Sequence, residues 1–139
     1  MTFEALYERA RAVLDPRPLS RFAEAGFVGA ALLTGGGSVF TGVNIDTACG
    51  MGFCAEHAAV AAMISAGENR IIKIVAVGKD GNVLPPCGRC REFISQVHED
   101  NLKTEVLVAE NVVCTIAELL PHDWRAATTV TDFFGREDK

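Results

Sequence analysis

Residues 53–91 read FCAEHAAVAAMISAGENRIIKIVAVGKDGNVLPPCGRCR, and this stretch organises the predicted fold. Its alanine-rich beginning, residues 54–66, predicts a helix whose small side chains can pack closely on a sheet. The β-branched run at 71–77 predicts a central strand. A Pro-Pro pair then ends the next segment and precedes a second helix, at about 88–98. Two helices that flank a buried strand are typical of an α/β fold.

Hydrophobic patterns on either side of this stretch predict further elements of both kinds. They are a helix at 3–14, strands at 28–34, 38–44, 105–109 and 112–115, and a short helix at 116–120. Two strands joined directly and later strands joined through helices imply a mixed sheet. We therefore predict a three-layer α/β/α sandwich with a mixed five-stranded sheet. It forms one domain of residues 1–139, with a loosely ordered end from about residue 128.

Composition excludes several classes of partner. The chain has 139 residues, is 49% hydrophobic and 22% charged, and carries a net charge of −5. It has no basic run interleaved with aromatic residues, which argues against polymeric nucleic acid as a partner. No apolar run approaches the ~20 residues that cross a membrane, and no signal-like segment opens the sequence. The expected location is therefore the cytoplasm, with no membrane partner.

Three cysteines and one glutamate within the stretch form two clusters, CAE at 54–56 and PCGRCR at 86–91. Thiolates are strong zinc ligands, and a catalytic zinc site has three protein ligands plus one open position. The candidate ligands are Cys54, Cys87 and Cys90. Glu56 would then lie beside the metal as a free carboxylate, which general acid–base catalysis requires. The sequence thus predicts a catalytic Zn²⁺ site.

Both clusters begin a helix, so backbone N–H groups and the helix dipole would lower the cysteine pKa values and favour thiolates. Three thiolates on Zn²⁺ leave a net negative charge, which a nearby cation would offset. Arg89, between the two sulfurs of the Cys-x-x-Cys motif, is the best candidate for this charge compensation. Arg91 is the next candidate and His57 the third.

Other interpretations of the cysteines remain open on this reasoning. A fourth ligand at Cys49, in a glycine-containing loop, would close the zinc site and make it structural. The three cysteines of the clusters are alternatively unrelated buried residues, and Glu56 a charge stabilised by the helix dipole. Cys114 lies in an apolar run and is expected to behave as a small hydrophobic residue. An odd total of five cysteines argues against a disulfide framework.

The two clusters resemble the zinc motifs of the cytidine deaminase family, in its small, usually homotetrameric branch. The segments FVGAALL at 27–33, TGVNI at 41–45 and ELLP at 118–121 with Trp124 resemble two strands and the C-terminal ending of that family. The resemblance implies a cytidine deaminase-like fold, zinc on the three cysteines, and proton transfer by Glu56. It also implies a small-molecule nucleoside substrate and a homotetramer or homodimer.

The resemblance assigns further residues to a substrate pocket: Phe27, Asn44, Asp46, Ala55 and Trp124. Asn44 would hydrogen-bond the ribose and Phe27 would line the pocket. Trp124 would stack on or near the base, in a neighbouring subunit's site. Asp46 stands where the family usually has a glutamate that grips the ribose 3′-hydroxyl, and it is one methylene shorter.

Two further departures concern the metal. The family's usual arginine after Cys-Ala-Glu is His57 here, and Arg89 replaces a small residue, as in the blasticidin-S deaminase branch. We therefore predict a zinc-dependent hydrolytic deaminase of a free cytosine nucleoside, with cytidine or deoxycytidine as the first choice. A modified cytosine nucleoside such as blasticidin S is the second. A zinc-stabilised binding module without turnover is the hypothesis of another class.

Overall fold

The computed structural model of the chain describes residues 1–128 and 132–136. Its three α-helices are α1 (Phe3–Ala12), α2 (Ala55–Ser65) and α3 (Gly88–Val97). Its strands are β1 (Arg17–Ser20), β2 (Ala23–Thr34), β3 (Val39–Thr47), β4 (Ile71–Gly78), β5 (Val83–Leu84), β6 (Glu105–Ala109) and β7 (Val112–Thr115). Two 3₁₀ helices span Glu99–Lys103 and Trp124–Ala127. Within the described ranges, no helix has both the length and the apolar character that a bilayer crossing requires.

The strands form one mixed sheet. The order β1-β2-β4-β6-β7 runs across it, β3 also pairs with β2, and β5 pairs with β4. The β4–β6 pair is parallel and is connected through α3, whereas the other pairs are antiparallel. This arrangement confirms the predicted mixed α/β sheet. All five predicted strands are present, and β1 and β5 extend the sheet to seven strands.

Helices cover both faces of the sheet, because neighbouring strand residues point to opposite sides. Ala31 and Val75 pack with α1 on one face, while Ala30 and Ile74 pack with α2 and α3 on the other. Each face has its own cluster of fully or nearly fully buried side chains. The three-layer α/β/α prediction is therefore confirmed.

The secondary structure predicted from sequence differs from the observed structure at three short segments. The strand β1 is exposed throughout and contains Pro18, which is typical only of an edge strand. The strand β5 has two residues and depends on the turn that follows β4. The predicted helix at 116–120 is wrong, since these residues form turns. An example is the hydrogen bond from the Leu119 N–H to the Ile116 carbonyl oxygen, three residues earlier, at 3.0 Å. So short a segment before a proline cannot propagate a helix.

The predicted loose end of the chain, about 128–139, includes residues 129–131 and 137–139, which lie outside the described residues.

A glycine brings α2 directly onto the sheet. A Cβ atom at Gly42 of β3 would lie 2.5 Å from the Ala58 Cβ and 2.5 Å from the Ala59 backbone nitrogen, well inside contact distance. The absence of a side chain at this position therefore allows the close approach of helix and strand. Since Ala58 lies in the first turns of α2, the contact fixes the N-terminal end of that helix.

A buried side-chain amide holds α3 against the start of β4. Asn101 is 0% exposed, and its Oδ1 accepts a hydrogen bond from the Ile71 N–H at 2.9 Å. Its Nδ2 donates to the carbonyl oxygens of Asn69 and Ile94, each at 3.0 Å. One side chain therefore joins the start of β4 to α3. No local sequence pattern identifies this role.

Replacing Asn101 by alanine should lower the free energy of unfolding by about 2–5 kcal/mol. The change leaves two buried backbone groups, the Ile71 N–H and the Ile94 carbonyl oxygen, without their partner, and each unsatisfied group costs about 1–3 kcal/mol. Urea denaturation measures the loss. The matched control is Gln96→Ala on the exposed face of α3, which should change stability by about 0.5 kcal/mol or less. Equal stability of the two variants would contradict the structural role of Asn101.

Candidate active site

Two helix N-termini meet at the cysteine clusters. Cys54 is the N-cap residue of α2 and Cys87 is the N-cap residue of α3, both with extended backbone. The Cys87 Sγ lies 3.5 Å from the Cys54 Sγ and 3.5 Å from the Cys90 Sγ. The Cys54 and Cys90 sulfurs lie within 4.8 Å of each other. Thus the fold brings the two sequence clusters together at one point.

This donor set fits a zinc ion. With Zn–S bonds of about 2.3 Å in a tetrahedral site, two sulfurs lie about 3.8 Å apart. The observed separations of 3.5 Å are close to that spacing. His57 is a fourth potential donor, because its Nδ1 lies 3.2 Å from the Cys90 Sγ and one of its ring nitrogens lies within 4.8 Å of the Cys54 Sγ.

The thiols differ in acidity. Burial raises the pKa of Cys54 and, more strongly, of the fully buried Cys90. Burial acts in the same direction on Cys87, but the nearby backbone N–H groups of Cys90 and Arg89 and the Cys54 thiol together outweigh it, so its pKa is lowered. At Cys54 and Cys90 burial therefore outweighs the expected effect of the helix N-termini in the metal-free protein. A Zn²⁺ ion in contact with these sulfurs would deprotonate them.

Glu56 lies in the first turn of α2, two residues after Cys54, and is only 6% exposed. Burial raises the pKa of its carboxyl group, although its own backbone N–H and the Cys90 thiol act in the opposite direction. A carboxyl group with a raised pKa exchanges protons more readily near neutral pH. Glu56 therefore has the burial and position of a proton-transfer group.

A cavity of about 450 Å³ opens beside Glu56. It contains most of the residues assigned to the substrate pocket by resemblance. They are Phe27, Asn44, Asp46 and Ala55, together with Cys54, Cys87 and Arg89. The cavity also includes Met51, Phe53 and Leu84, which the sequence did not indicate. Leu84 lies in the two-residue strand β5, so no local sequence pattern would have identified it as a cavity residue.

Asn44 shapes the cavity wall from inside the sheet. Its Oδ1 accepts hydrogen bonds from the backbone N–H groups of Phe27 and Val28, both at 2.8 Å. These two residues lie where the β2–β3 register shifts between Ala25 and Gly29. The Asn44 Nδ2 donates to the Asp46 Oδ2 at 3.0 Å. Asn44 thus holds the irregular strand and orients Asp46 at the same time.

Trp124 lies apart from this cavity within the single chain. Its indole packs edge-to-face against Phe133, with ring centroids 5.4 Å apart, and its Nε1–H donates to the Glu92 carboxylate. Its side chain is 44% exposed. The assignment of Trp124 to a neighbouring subunit's site stays a prediction.

The three candidate cations have different surroundings. Arg89 is exposed, reaches the Gly52 carbonyl oxygen at 3.5 Å and lines the cavity. Arg91 donates from Nε to the Pro86 carbonyl oxygen at 2.7 Å and therefore braces the loop before α3. His57 contacts a cysteine sulfur directly, although sequence reasoning placed it third. Burial lowers the pKa of His57, and the nearby Arg89 charge lowers it further.

Comparison with known proteins identifies the family. Residues 10–106 match the model of the cytidine and deoxycytidylate deaminase zinc-binding region. The chain belongs to this family. Its zinc-binding region confirms the predicted Zn²⁺ cofactor. The matched range contains both cysteine clusters and Glu56.

Several members of the cytidine and deoxycytidylate deaminase family resemble the chain closely. A cytidine deaminase of Mycobacterium tuberculosis is 45% identical over 78 residues, which cover 55% of this chain and 56% of that protein. The chain thus spans just over half the length of this relative. A cytidine deaminase of Halalkalibacterium halodurans is 36% identical over 107 residues, covering 75% of this chain and 78% of that protein. A blasticidin-S deaminase of Bacillus cereus is 34% identical, covering 68% and 74%.

A solved structure gives the same family and fold. The cytidine deaminase of Mycobacterium leprae superposes with a TM-score of 0.74 at 30% identity, covering 88% of this chain and 99% of that one. The agreement confirms the predicted cytidine deaminase-like fold.

Alkylation of the metal-free protein should distinguish the cysteines. At pH 7 iodoacetamide should modify Cys87 faster than Cys54 or Cys90, because Cys87 is exposed and its lower pKa gives a larger thiolate fraction. Zn²⁺ should protect all three sulfurs. Peptide mass spectrometry measures each rate, and the exposed Cys49 serves as an internal control that stays reactive in both states. Undiminished labelling of Cys87 with Zn²⁺ would contradict its place in the metal site.

Proposed function

We propose that this protein is a zinc-dependent hydrolytic deaminase of a free cytosine nucleoside. It would convert cytidine or deoxycytidine to the corresponding uracil nucleoside with release of ammonia, as an enzyme of pyrimidine salvage. The observation that carries the proposal is a buried carboxyl group, Glu56, in one cavity with the cysteine cluster. Membership of the deaminase family supports it.

In this proposal the zinc ligands are Cys54, Cys87 and Cys90. Their sulfurs have suitable separations, and three of them leave a tetrahedral ion one position for water. When bound in such a site, Zn²⁺ lowers the pKa of the water that it contacts to about 7, which supplies a nucleophile at neutral pH. Arg89 lies at the edge of the same cavity, where its charge partly offsets that of the thiolates.

Glu56 moves the protons of the reaction. Its carboxylate accepts one proton from the attacking water and passes it to the ring nitrogen. It then accepts the remaining proton of the added hydroxyl group and passes it to the amine, which departs as ammonia. Burial favours the protonated form and so assists the second step. The low exposure of the group also excludes bulk water from the proton path.

The sugar end of the substrate would lie against Asn44 and Asp46. The Asn44 Oδ1 is occupied by two backbone N–H groups, so its Nδ2 and the Asp46 carboxylate are the groups that can meet a hydroxyl. Phe27 and Ala55 line the same cavity and supply apolar surface for the ring. Because Asp46 replaces the longer glutamate, the sugar must approach the strand more closely.

A modified cytosine nucleoside is the second candidate substrate. The blasticidin-S deaminase of Bacillus cereus is 34% identical to the chain. Asp46 alters the position where the sugar would be held. The reaction is the same for both candidates, and only the group beyond the ring differs.

We also propose that the protein assembles as a homotetramer or homodimer in the cytoplasm. The helix α2 is apolar on nearly all sides, and Ile64 on it is 45% exposed, as expected of a helix buried against another subunit. Assembly would also give Trp124 a neighbouring cavity to enter. The five unpaired cysteines suit a reducing compartment. A monomeric mass in light scattering would contradict the assembly.

Replacing Glu56 by glutamine should leave Zn²⁺ bound and lower kcat by at least about 100-fold, the usual contribution of a general acid–base group. Ammonia release and zinc content, measured on the same sample, test both statements. The matched control is Glu110→Gln, an exposed carboxylate in the turn between β6 and β7. Normal turnover of the Glu56 variant would refute the proton-transfer role.

Ammonia release across a substrate panel tests the proposed function directly. Cytidine and deoxycytidine should be turned over, while free cytosine should be a much poorer substrate because it cannot reach Asn44 and Asp46. Preferential turnover of blasticidin S would favour the second candidate. If no cytosine compound is deaminated while the protein still needs zinc to fold, the hypothesis of a zinc-stabilised binding module replaces the enzyme.

A further inference from the structure

His57 makes a contact that the proposed chemistry does not use. It lies on α2, three residues after the N-cap residue Cys54, and one of its ring nitrogens lies within 4.8 Å of the Cys54 Sγ. Its Nδ1 lies 3.2 Å from the Cys90 Sγ, on the other helix. Its ring lies flat on the ring of Phe93, with centroids 4.4 Å apart and an angle of 4° between the planes.

The stack fixes the direction of the imidazole. Phe93 follows Cys90 by three residues on α3, so these two side chains share one face of their helix. Two pairs with the same spacing therefore meet across the α2–α3 contact, Cys54 with His57 and Cys90 with Phe93. The stack on Phe93 holds the plane of the imidazole, and in that plane Nδ1 lies 3.2 Å from the Cys90 sulfur.

The Cys90 sulfur needs such a partner. Cys90 is 0% exposed, so water cannot solvate a thiolate there. A buried charge without a hydrogen-bond donor is strongly destabilising. Arg89 does not supply the donor, because its side chain is exposed and reaches the Gly52 carbonyl oxygen instead. Cys54 and Cys87 are less buried than Cys90, so their sulfurs have less need of a hydrogen-bond donor from the protein.

We propose that His57, held by Phe93, donates its Nδ1–H to the Cys90 Sγ and so positions and stabilises this cysteine as a zinc ligand. The inference rests on the proposed function, since a histidine bound to the metal itself would close the position that hydrolysis requires. His57 is then a positioning residue, at the place where the resemblance leads one to expect an arginine. Partners of metal ligands typically change metal affinity 10- to 100-fold when removed.

Zn²⁺ affinity, measured by competition with a chelator, tests the proposal in the whole chain. His57→Leu should weaken Zn²⁺ binding by about 10- to 100-fold. His57→Asn places an amide N–H near the position of Nδ1 and should retain most of the affinity. His57→Gln places its amide near the position of Nε2 and should resemble the leucine variant. Equal Zn²⁺ affinity of His57→Leu and the parent protein would overturn the proposal.

Phe93→Leu tests the stack, and it keeps the proposal testable if the His57 variants fail to fold. It should weaken Zn²⁺ binding alone, yet add little in the His57→Leu background, because the two residues act as one unit. The matched control is Phe40→Leu, since Phe40 packs against the same core cluster. That variant should lose stability without losing Zn²⁺ affinity. Additive effects of the two substitutions on Zn²⁺ affinity would count against the proposal.

Spectroscopy separates a donor from a ligand. The absorption spectrum of the Co²⁺-loaded protein contains sulfur-to-metal bands, which should shift in His57→Leu while three sulfurs remain bound. X-ray absorption of the Zn²⁺-loaded parent protein should show sulfur neighbours without the outer-shell scattering of an imidazole. Imidazole scattering would make His57 a ligand and overturn the proposal. A parent protein that binds Zn²⁺ but releases no ammonia would instead refute the proposed function and leave the His57 contact testable.

Discussion

The meeting of two helix N-termini is the constraint on which the rest of this structure depends. Cys54 and Cys87 begin different helices, yet their sulfurs lie 3.5 Å apart. Such proximity requires that neither helix can slide along the sheet. The contact of α2 with Gly42 sets one helix, and the buried amide of Asn101 sets the other. Features far from the metal site therefore determine whether the three sulfurs can share one ion.

Binding of a metal ion by the three sulfurs would consequently be coupled to folding. A buried cysteine, a half-buried cysteine and a buried carboxyl group lie together where few charges are tolerated. In the absence of a cation, burial raises the pKa values of Cys54, Cys90 and Glu56 and so favours their protonated forms. A divalent ion reverses this preference at the sulfurs and releases protons. Glu56 remains the group that can still exchange a proton.

Sequence alone predicted what is local in this protein. The β-branched run of β4, the alanine-rich α2 and the Cys-x-x-Cys motif each identify themselves within a few residues. The fold class followed from their order. What sequence missed depends on distant partners. The roles of Asn101 and Leu84 and the stack of His57 on Phe93 exist only because the chain returns to the same place. The ranking of Arg89 above His57 used its charge and its place in the Cys-x-x-Cys motif, whereas the structure brings the imidazole to the sulfur.

The two duties of Asn44 affect how this pocket can evolve. Its oxygen is committed to the backbone of β2, so almost any replacement would disturb the strand before it altered recognition. Asp46 carries no such commitment, being exposed and joined to the sheet side chains only through the Asn44 amide. For the proposed nucleoside substrate, natural variation in the preferred sugar should therefore accumulate at position 46 while position 44 stays fixed. Substrate preference in the proposed enzyme can change at position 46 without disturbing the strand that supports the cavity.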